Sequence, residues 1–98
     1  MQYEIFSTAE FDVWRESMRD DRAATAVDRG IVRLSGGLFG NVAPVGEGVS
    51  ELKIDVGAGY RVYFVTRGST IILLLWGGDK SSQRRDIKRA KKMAAHLE

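Results

Sequence analysis

Positively charged side chains are concentrated in the second half of this 98-residue chain. Residues 1–52 carry nine acids and five bases, whereas residues 53–98 carry ten bases and four acids. The densest run contains a single acid, Asp86, and seven bases: Lys80, Arg84, Arg85, Lys88, Arg89, Lys91 and Lys92. Such a positive field attracts polyanions, above all nucleic acid, although a solvated helix surface can have the same composition.

Two further cations lie on either side of a predicted tight turn. Lys53 precedes Gly57-Ala58-Gly59, and Arg61 follows it. Because the turn is short, we expect the two strands to pair and both side chains to converge on one face of a sheet. The alternative is that each is a surface cation on an exposed strand.

Side chains that commonly transfer protons near neutral pH are scarce. The chain has no cysteine and one histidine, His96. This excludes cysteine nucleophiles, disulfides and thiolate metal sites, and it excludes a pair of catalytic histidines. Gly77-Gly78 lacks the lysine and Ser/Thr spacing of a nucleotide-binding loop. We therefore predict no metal site and no cofactor.

The first half of the chain predicts one strand and two helices. Tyr3–Phe6 is β-prone, and Thr8 can cap a first helix that ends at Asp20-Asp21. A second helix then ends at Gly36-Gly37, because glycine tolerates the backbone of helix C-termini. The two helices form a hairpin with one apolar face, made by Phe11, Trp14 and Met18, and by Ala23, Ala24, Val27, Ile31 and Leu34.

The second half predicts four strands and a basic helix. Val42–Val45 contains Pro44, which suits an edge strand. Further strands cover Val49–Val56, Tyr60–Thr66 and Thr70–Trp76. The last strand is apolar on both faces, so we expect it to be central and to end at the glycines that follow. A basic helix then starts at about residue 80.

The element order β-α-α-β-β-β-β-α predicts one α+β domain over residues 1–98, with helices packed on an antiparallel sheet. The longest apolar run, Ile71–Trp76, is too short to span a bilayer. The first residues lack a basic region followed by an apolar stretch. We therefore expect a cytoplasmic protein with no membrane partner.

Four segments together carry a likeness to a known family: Glu51–Asp55, Gly59–Phe64, Leu73–Leu75 and Gly77–Ile87. On these segments the chain resembles the RelE/ParE superfamily of type II toxins. Its closer likeness is to the phage-derived addiction-module killer proteins, which are similar to HigB-type toxins. The resemblance covers essentially the whole chain. It implies a RelE-like fold with an N-terminal helical hairpin and a C-terminal basic helix.

The resemblance implies a toxin that a cognate antitoxin, typically a small helix-turn-helix protein, holds inactive in a hetero-oligomer. Most RelE-like members are endoribonucleases that cut mRNA, commonly on the ribosome, and thereby inhibit translation. ParE-like members share the fold but poison DNA gyrase. A degenerate toxin that retains only antitoxin binding is a further alternative, since fold alone does not decide function.

Metal-independent RNA cleavage uses the neighbouring 2′-hydroxyl as its nucleophile. RelE-like toxins are thought to assist this attack with fixed cations, which stabilise charge as it develops on the phosphate. The cleavage leaves a cyclic phosphate. We expect positive side chains of the sheet and the final helix to meet over one concave patch. The predicted catalytic residues are Lys53, Arg61, Lys80 and Arg84.

RNA binding is predicted for a second set of residues. Tyr63 can stack on a base, unless it belongs to the core. Many RelE-like ribonucleases have a tyrosine in the terminal segment, whereas residues 80–98 contain no aromatic, which favours the alternatives. The same basic surface can also face the antitoxin. The cations predicted to contact RNA phosphates are Arg85, Lys88, Arg89 and Lys92.

Overall fold

Two polar side chains begin the helices of the first half. In the computed structural model, which describes residues 2–97, strand β1 (Glu4–Ser7) leads into helix α1 (Ala9–Glu16). The Thr8 hydroxyl accepts the Phe11 N–H at 3.0 Å. Helix α2 (Asp21–Ser35) begins where the Asp20 carboxylate accepts the first free N–H groups. The predicted Thr8 cap is therefore confirmed, and Asp20 caps α2 in the same way, because each side chain satisfies orphan donors of its first turn.

Five strands form one sheet in the order β1-β5-β4-β3-β2. The strands after the helices are β2 (Val42–Gly46), β3 (Val49–Ile54), β4 (Tyr60–Arg67) and β5 (Ile71–Asp79). Consecutive strands from β2 to β5 are antiparallel, and β2 lies at one edge as Pro44 predicted.

The sheet is mixed, so the prediction of a purely antiparallel sheet is wrong. Strand β1 pairs with β5 in parallel, with Glu4 opposite Ile71 and Ser7 opposite Leu74. This pairing satisfies the second edge of β5, which is buried on both faces. Alternation of apolar residues specifies which face of a strand is buried but not the direction of its neighbour, which is why the sequence did not reveal it.

Strand β5 does not end at its glycines as predicted but continues through Gly77 and Gly78 to Asp79. A Cβ atom at Gly77 would overlap the Trp14 ring, and one at Gly78 would overlap the Asp86 carboxylate. Both glycines therefore permit close approach of a neighbouring side chain rather than ending the strand.

Helices cover both faces of the sheet. The α1–α2 face contains a core cluster that includes three of the predicted stripe residues, Phe11, Val27 and Leu34, and Trp14, Met18 and Ile31 pack against it. On the opposite face, α3 (Gln83–Ala95) packs over a cluster that includes Tyr63, Leu75 and Ala90. The α+β class and the apolar faces of the first two helices are as predicted.

The basic helix begins later than predicted. A single 3-10 turn occupies Lys80–Ser82, with Asp79 as its cap, and α3 starts at Gln83. Lys80 therefore lies outside α3, whereas Arg84 and Lys88 lie about one turn apart within it. None of the helices within residues 2–97 is long and apolar enough to cross a membrane. The first and last residues of the predicted domain, Met1 and Glu98, lie outside the described residues.

Candidate nucleic-acid interface

Three of the predicted catalytic cations lie at the end of the sheet where β3 turns into β4. Lys53 and Arg61 are directly opposite in the strand register, so they share one sheet face. The Lys80 N–H donates to the Gly59 carbonyl at 2.8 Å. Lys80 Cβ and Arg61 Nη1 lie 3.6 and 3.9 Å from the position that a Gly59 Cβ would occupy. We call Lys53, Arg61 and Lys80 the cation cluster.

Members of the cation cluster differ in exposure. Lys53 and Lys80 are exposed, whereas Arg61 is only 7% exposed. Its Nη1 donates to the Tyr60 carbonyl at 3.1 Å, and its Nε has no hydrogen-bond partner in the described part of the chain. The lysines can therefore touch a ligand directly, while Arg61 supplies a fixed positive charge from beneath them.

Arg84 lies in a shallow pocket that adjoins this cluster. The pocket has a volume of about 330 Å³ and is lined by Ser81, Ser82, Arg84, Arg85 and Lys88. We call it the α3 pocket. The three cations are exposed, and the planar guanidinium of arginine matches paired phosphate oxygens. The α3 pocket can therefore bind a phosphate group beside Lys80.

Asp79 fixes the turn that carries these groups. Its carboxylate accepts the Ser81 hydroxyl at 2.5 Å and the Ser81 N–H at 2.9 Å. The hydrogen bond from the Ser81 hydroxyl, those from the Ser81 and Ser82 backbone, and the charge of Arg85 together lower the pKa of Asp79. Asp79 therefore stays ionised and holds the 3-10 turn in place.

Buried hydrogen bonds attach the first turn of α3 to the sheet. Trp76 Nε1 donates to Asp86 Oδ1 at 3.0 Å, and the Ser82 hydroxyl donates to the other oxygen of the same carboxylate. Gln83 Nε2 donates to Glu51 Oε1 at 2.9 Å. These bonds orient the helix that carries Arg84. We did not predict a role for Asp86, and the available signal was its position as the single acid in a basic run.

The remaining α3 cations point to different sides of the helix. The Arg89 guanidinium lies 4.2 Å from the centroid of the Trp76 ring, above β5. Lys91 contacts Glu47, in the β2–β3 turn, at 3.6 Å. Lys88 and Lys92 are exposed to solvent. The structure therefore groups Arg84, Arg85 and Lys88, and it separates Arg89 from them.

Tyr63 is a core residue, so the prediction that it stacks on a base is wrong. Its side chain is fully buried beneath α3 and offers no ring face to a ligand. Burial raises the pKa of the Tyr63 phenol, and the charges of Glu51 and Asp86 raise it further. The hydroxyl therefore stays protonated. Tyr63 lies two positions after Arg61 on the same face of β4, and α3 covers that face at Tyr63.

Few of the cations are neutralised by acids. Within residues 2–97, ion pairs shorter than 4.0 Å join only Arg15 to Asp28 and Lys91 to Glu47. Lys53, Lys80 and the cations of the α3 pocket are therefore exposed to solvent without a carboxylate partner in this range. The same range contains no group of three or more His, Asp or Glu side chains arranged to hold a metal ion.

Comparison with known proteins finds a relative that matches over nearly the whole chain. No family model matches the chain. The chain is similar to an uncharacterized protein of Haemophilus influenzae (strain ATCC 51907 / DSM 11121 / KW20 / Rd). The two are 42% identical over 97 residues, which cover 99% of this chain and 98% of that protein.

Proposed function

We propose that this chain, which belongs to one family with the Haemophilus influenzae protein, is the toxin of a type II toxin–antitoxin module. It acts as a metal-independent mRNA endoribonuclease of the RelE-like, HigB-like group and inhibits translation in the cytoplasm. The observation that carries this proposal is the cation cluster, which lies beside the α3 pocket and has no acidic partner among residues 2–97.

The proposed reaction is an in-line transesterification. The 2′-oxygen forms a bond to phosphorus as the 2′-hydroxyl proton departs, and the bond to the 5′-oxygen breaks as that oxygen gains a proton. The products are a 2′,3′-cyclic phosphate and a free 5′-hydroxyl. Negative charge increases on the phosphate in the transition state, where fixed cations give more stabilisation than in the ground state.

Each basic group has a part in this proposal. The ammonium groups of Lys53 and Lys80 contact the scissile phosphate, and Arg61 adds positive potential from beneath them. Arg84 and Arg85 bind an adjacent phosphate in the α3 pocket. Lys88 and Lys92 extend the contact along the RNA backbone, so binding should weaken as salt concentration rises.

A RelE-like fold is part of the same proposal. The element order, the hairpin of α1 and α2, and the basic helix after the last strand support it. An antitoxin, proposed to be a small helix-turn-helix protein, would hold the chain inactive in a hetero-oligomer.

A second candidate is a binding function without nuclease chemistry, as in a ParE-like gyrase poison or a degenerate toxin. The burial of Tyr63 favours it, because residues 80–98 contain no aromatic that could replace Tyr63 as a stacking platform. Base stacking contributes about 1–3 kcal/mol in single-stranded RNA binding.

The two candidates are separated by inducing the chain in cells and mapping mRNA ends together with plasmid supercoiling. Under the first proposal messages are cleaved rapidly, and Lys53→Ala or Lys80→Ala lowers cleavage by about 10²-fold. The matched control is Arg67→Ala, since Arg67 is exposed on β4 about 20 Å from Arg61. Intact messages with altered supercoiling would instead indicate gyrase poisoning, and no change in either would indicate a degenerate toxin.

A further inference from the structure

A stacked pair of side chains, Arg89 and Trp76, lies between α3 and β5. The Arg89 guanidinium is 4.2 Å from the centroid of the Trp76 ring, which is the distance of a cation–π contact. Trp76 is partly buried against the cluster beneath α3, whereas Arg89 is exposed. One side of the planar guanidinium therefore contacts the indole, and its other side is open to solvent. We call these two residues the stacked pair.

A β-bulge directs the Trp76 ring towards α3. In the strand register Tyr63 lies opposite Trp76, whereas the next residue of β4 lies opposite Leu74. Strand β5 therefore has one extra residue, Leu75, at this point, and both Leu75 and Trp76 pack on the α3 side of the sheet. Without the bulge, alternation along the strand would place Trp76 on the opposite side. Bulges of this kind re-aim a side chain and are common next to active sites.

A hydrogen bond holds the Trp76 ring in this orientation. Its Nε1 donates to Asp86 Oδ1 at 3.0 Å, and the same carboxylate accepts the Ser82 hydroxyl. Arg89 itself has no carboxylate within 4.0 Å in the part of the chain that the structure describes. The fixed ring therefore positions the guanidinium, and no acid within that distance competes with a ligand for its charge.

Arg89 follows one of the residues of the α3 pocket by a single helical turn. Arg85 lines that pocket, and the two arginines are four residues apart in α3. This spacing corresponds to about 6 Å along the helix axis and about 40° around it. A nucleotide whose phosphate binds Arg85 in the α3 pocket therefore has its base within reach of Arg89.

We propose that the stacked pair is a subsite for one nucleobase of single-stranded RNA, an inference that rests on the proposed function. The base packs on the open side of the Arg89 guanidinium, and its phosphate binds in the α3 pocket. Unpaired RNA bases stack on arginine guanidinium planes as they do on aromatic rings. Arg89 therefore takes the part that the buried Tyr63 cannot take, and it stacks on a base instead of contacting a phosphate.

The other exposed cations of α3 lack one of the two features that this role needs. Lys88 and Lys92 end in an ammonium group, which has no plane and interacts with phosphate as a point charge. Arg84 and Arg85 have the planar group, but within residues 2–97 only Arg89 lies over an aromatic ring. Replacing Arg89 by lysine therefore removes the stacking surface and keeps the charge.

The test measures the Kd of the purified chain for a single-stranded RNA of about ten nucleotides that 2′-O-methylation protects from cleavage. Arg89→Lys should weaken the Kd by about tenfold, because stacking on the base is lost. The salt dependence of the Kd should stay unchanged, because the charge is retained.

The matched control is Arg33→Lys, since Arg33 is exposed on α2, on the other side of the sheet. We expect the control to change the Kd by less than about twofold. A second probe is an oligomer of the same length in which every nucleotide is abasic. Wild type and Arg89→Lys should bind this oligomer equally within about twofold, because it offers no base to stack.

Four outcomes overturn the proposal: tight RNA binding by Arg89→Lys, an equal loss for the RNA and the abasic oligomer, a comparable loss in the Arg33→Lys control, or no RNA binding by the wild-type chain. Circular dichroism verifies that each variant is folded. Cleavage of unmodified RNA by the wild-type chain reports separately on the proposed function. Cleavage combined with tight binding by Arg89→Lys would overturn the base subsite alone, whereas base-dependent binding without cleavage would overturn the nuclease alone.

Discussion

The two faces of the sheet differ in whether their buried side chains carry charge. Beneath α1 and α2 the buried side chains are apolar, and the ion pair between Arg15 and Asp28 lies on the surface. Beneath α3, the buried groups include Glu51, Arg61 and Asp86. Burying charged groups usually lowers stability unless each is well compensated. The buried charged groups beneath α3 therefore lower the stability of the fold, but they fix a particular arrangement of charge.

The partners of the buried acids show what that arrangement achieves. The carboxylates of Asp86 and Glu51 accept hydrogen bonds from Trp76, Ser82 and Gln83, which are all neutral donors. Arg61 shares this face but has no ion pair within residues 2–97. Neutral donors therefore satisfy the acids, and neither carboxylate forms an ion pair with Arg61, although both still lower the electrostatic potential on this face.

The substitution with the largest expected effect on this difference between the faces is Arg61→Met, which removes the buried charge and keeps much of the side-chain volume. Under the proposed function, RNA cleavage falls by about 10²–10³-fold. The free energy of unfolding should stay within about 1 kcal/mol of wild type, because the buried cation that is lost has no ion pair within residues 2–97. Cleavage of a defined RNA and urea unfolding measure the two effects. A large loss of stability with normal cleavage per folded molecule would show that Arg61 is structural.

Sequence patterns predicted the α1–α2 face well. Helix stripes at spacings of three and four identified Phe11, Trp14, Val27 and Leu34, because a face that is uniformly apolar leaves a periodic signal. The convergence of Lys53 and Arg61 also followed from a short turn. These features depend on local spacing alone.

The α3 face was harder to predict because many of its contacts join residues that are distant in sequence. Other contacts involve residues, such as a glycine inside a strand, that usually indicate a different local structure. The hydrogen bond of Glu51 with Gln83 spans 32 positions. Gly78 was predicted to end the strand, but it lies within β5, where the absence of a side chain leaves space for the Asp86 carboxylate. Tyr63 was predicted to stack on a base, yet it is buried because α3 packs over its face of β4, a contact that the pattern of the strand does not reveal.

Two adjacent glycines allow the faces to be compared at nearly the same place in β5. Gly77→Ala forces a methyl group into the Trp14 ring, and Gly78→Ala forces one into the Asp86 carboxylate. Overpacking of this kind costs about 1–3 kcal/mol, and we expect both substitutions near the upper end. The control is Gly40→Ala, since no atom lies within 4 Å of a Cβ there. Urea unfolding of the three variants measures the difference.

Combining each glycine substitution with Asp86→Ala should show that the two glycines contact different side chains. Asp86→Ala removes the group that Gly78→Ala would overlap, so the double variant should be more stable than the two single losses added together predict. The expected coupling is about 1–2 kcal/mol. Asp86→Ala combined with Gly77→Ala should be closer to additive, because Trp14 lies on the other face. Equal coupling in both pairs would contradict the assignment of the two glycines to separate faces.

The smallest expected effect concerns the exposed ion pair between Arg15 and Asp28 on the α1–α2 side of the sheet. The hydrogen bond from Arg15 lowers the pKa of Asp28 below its ordinary value of 3.8. Because the folded carboxylate holds its proton less tightly than the unfolded one, its stabilising contribution is present above pH 3.8 and is lost as the pH falls through the lower folded pKa. Asp28→Asn should cost about 0.2–1 kcal/mol at neutral pH and almost nothing in strong acid.

The stabilising contributions of Asp28 and Asp79 should depend differently on salt concentration. The Asp28 carboxylate interacts with a cation across an exposed surface, so its contribution should fall markedly in about 1 M salt, where the Debye length is about 3 Å. The Asp79 carboxylate is held first by the neutral Ser81 hydroxyl, and a hydrogen bond of that kind is screened much less. The destabilisation by Asp28→Asn should therefore decline with salt more steeply than that by Asp79→Asn. Parallel declines in thermal unfolding would mean that Arg85, rather than Ser81, dominates the environment of Asp79.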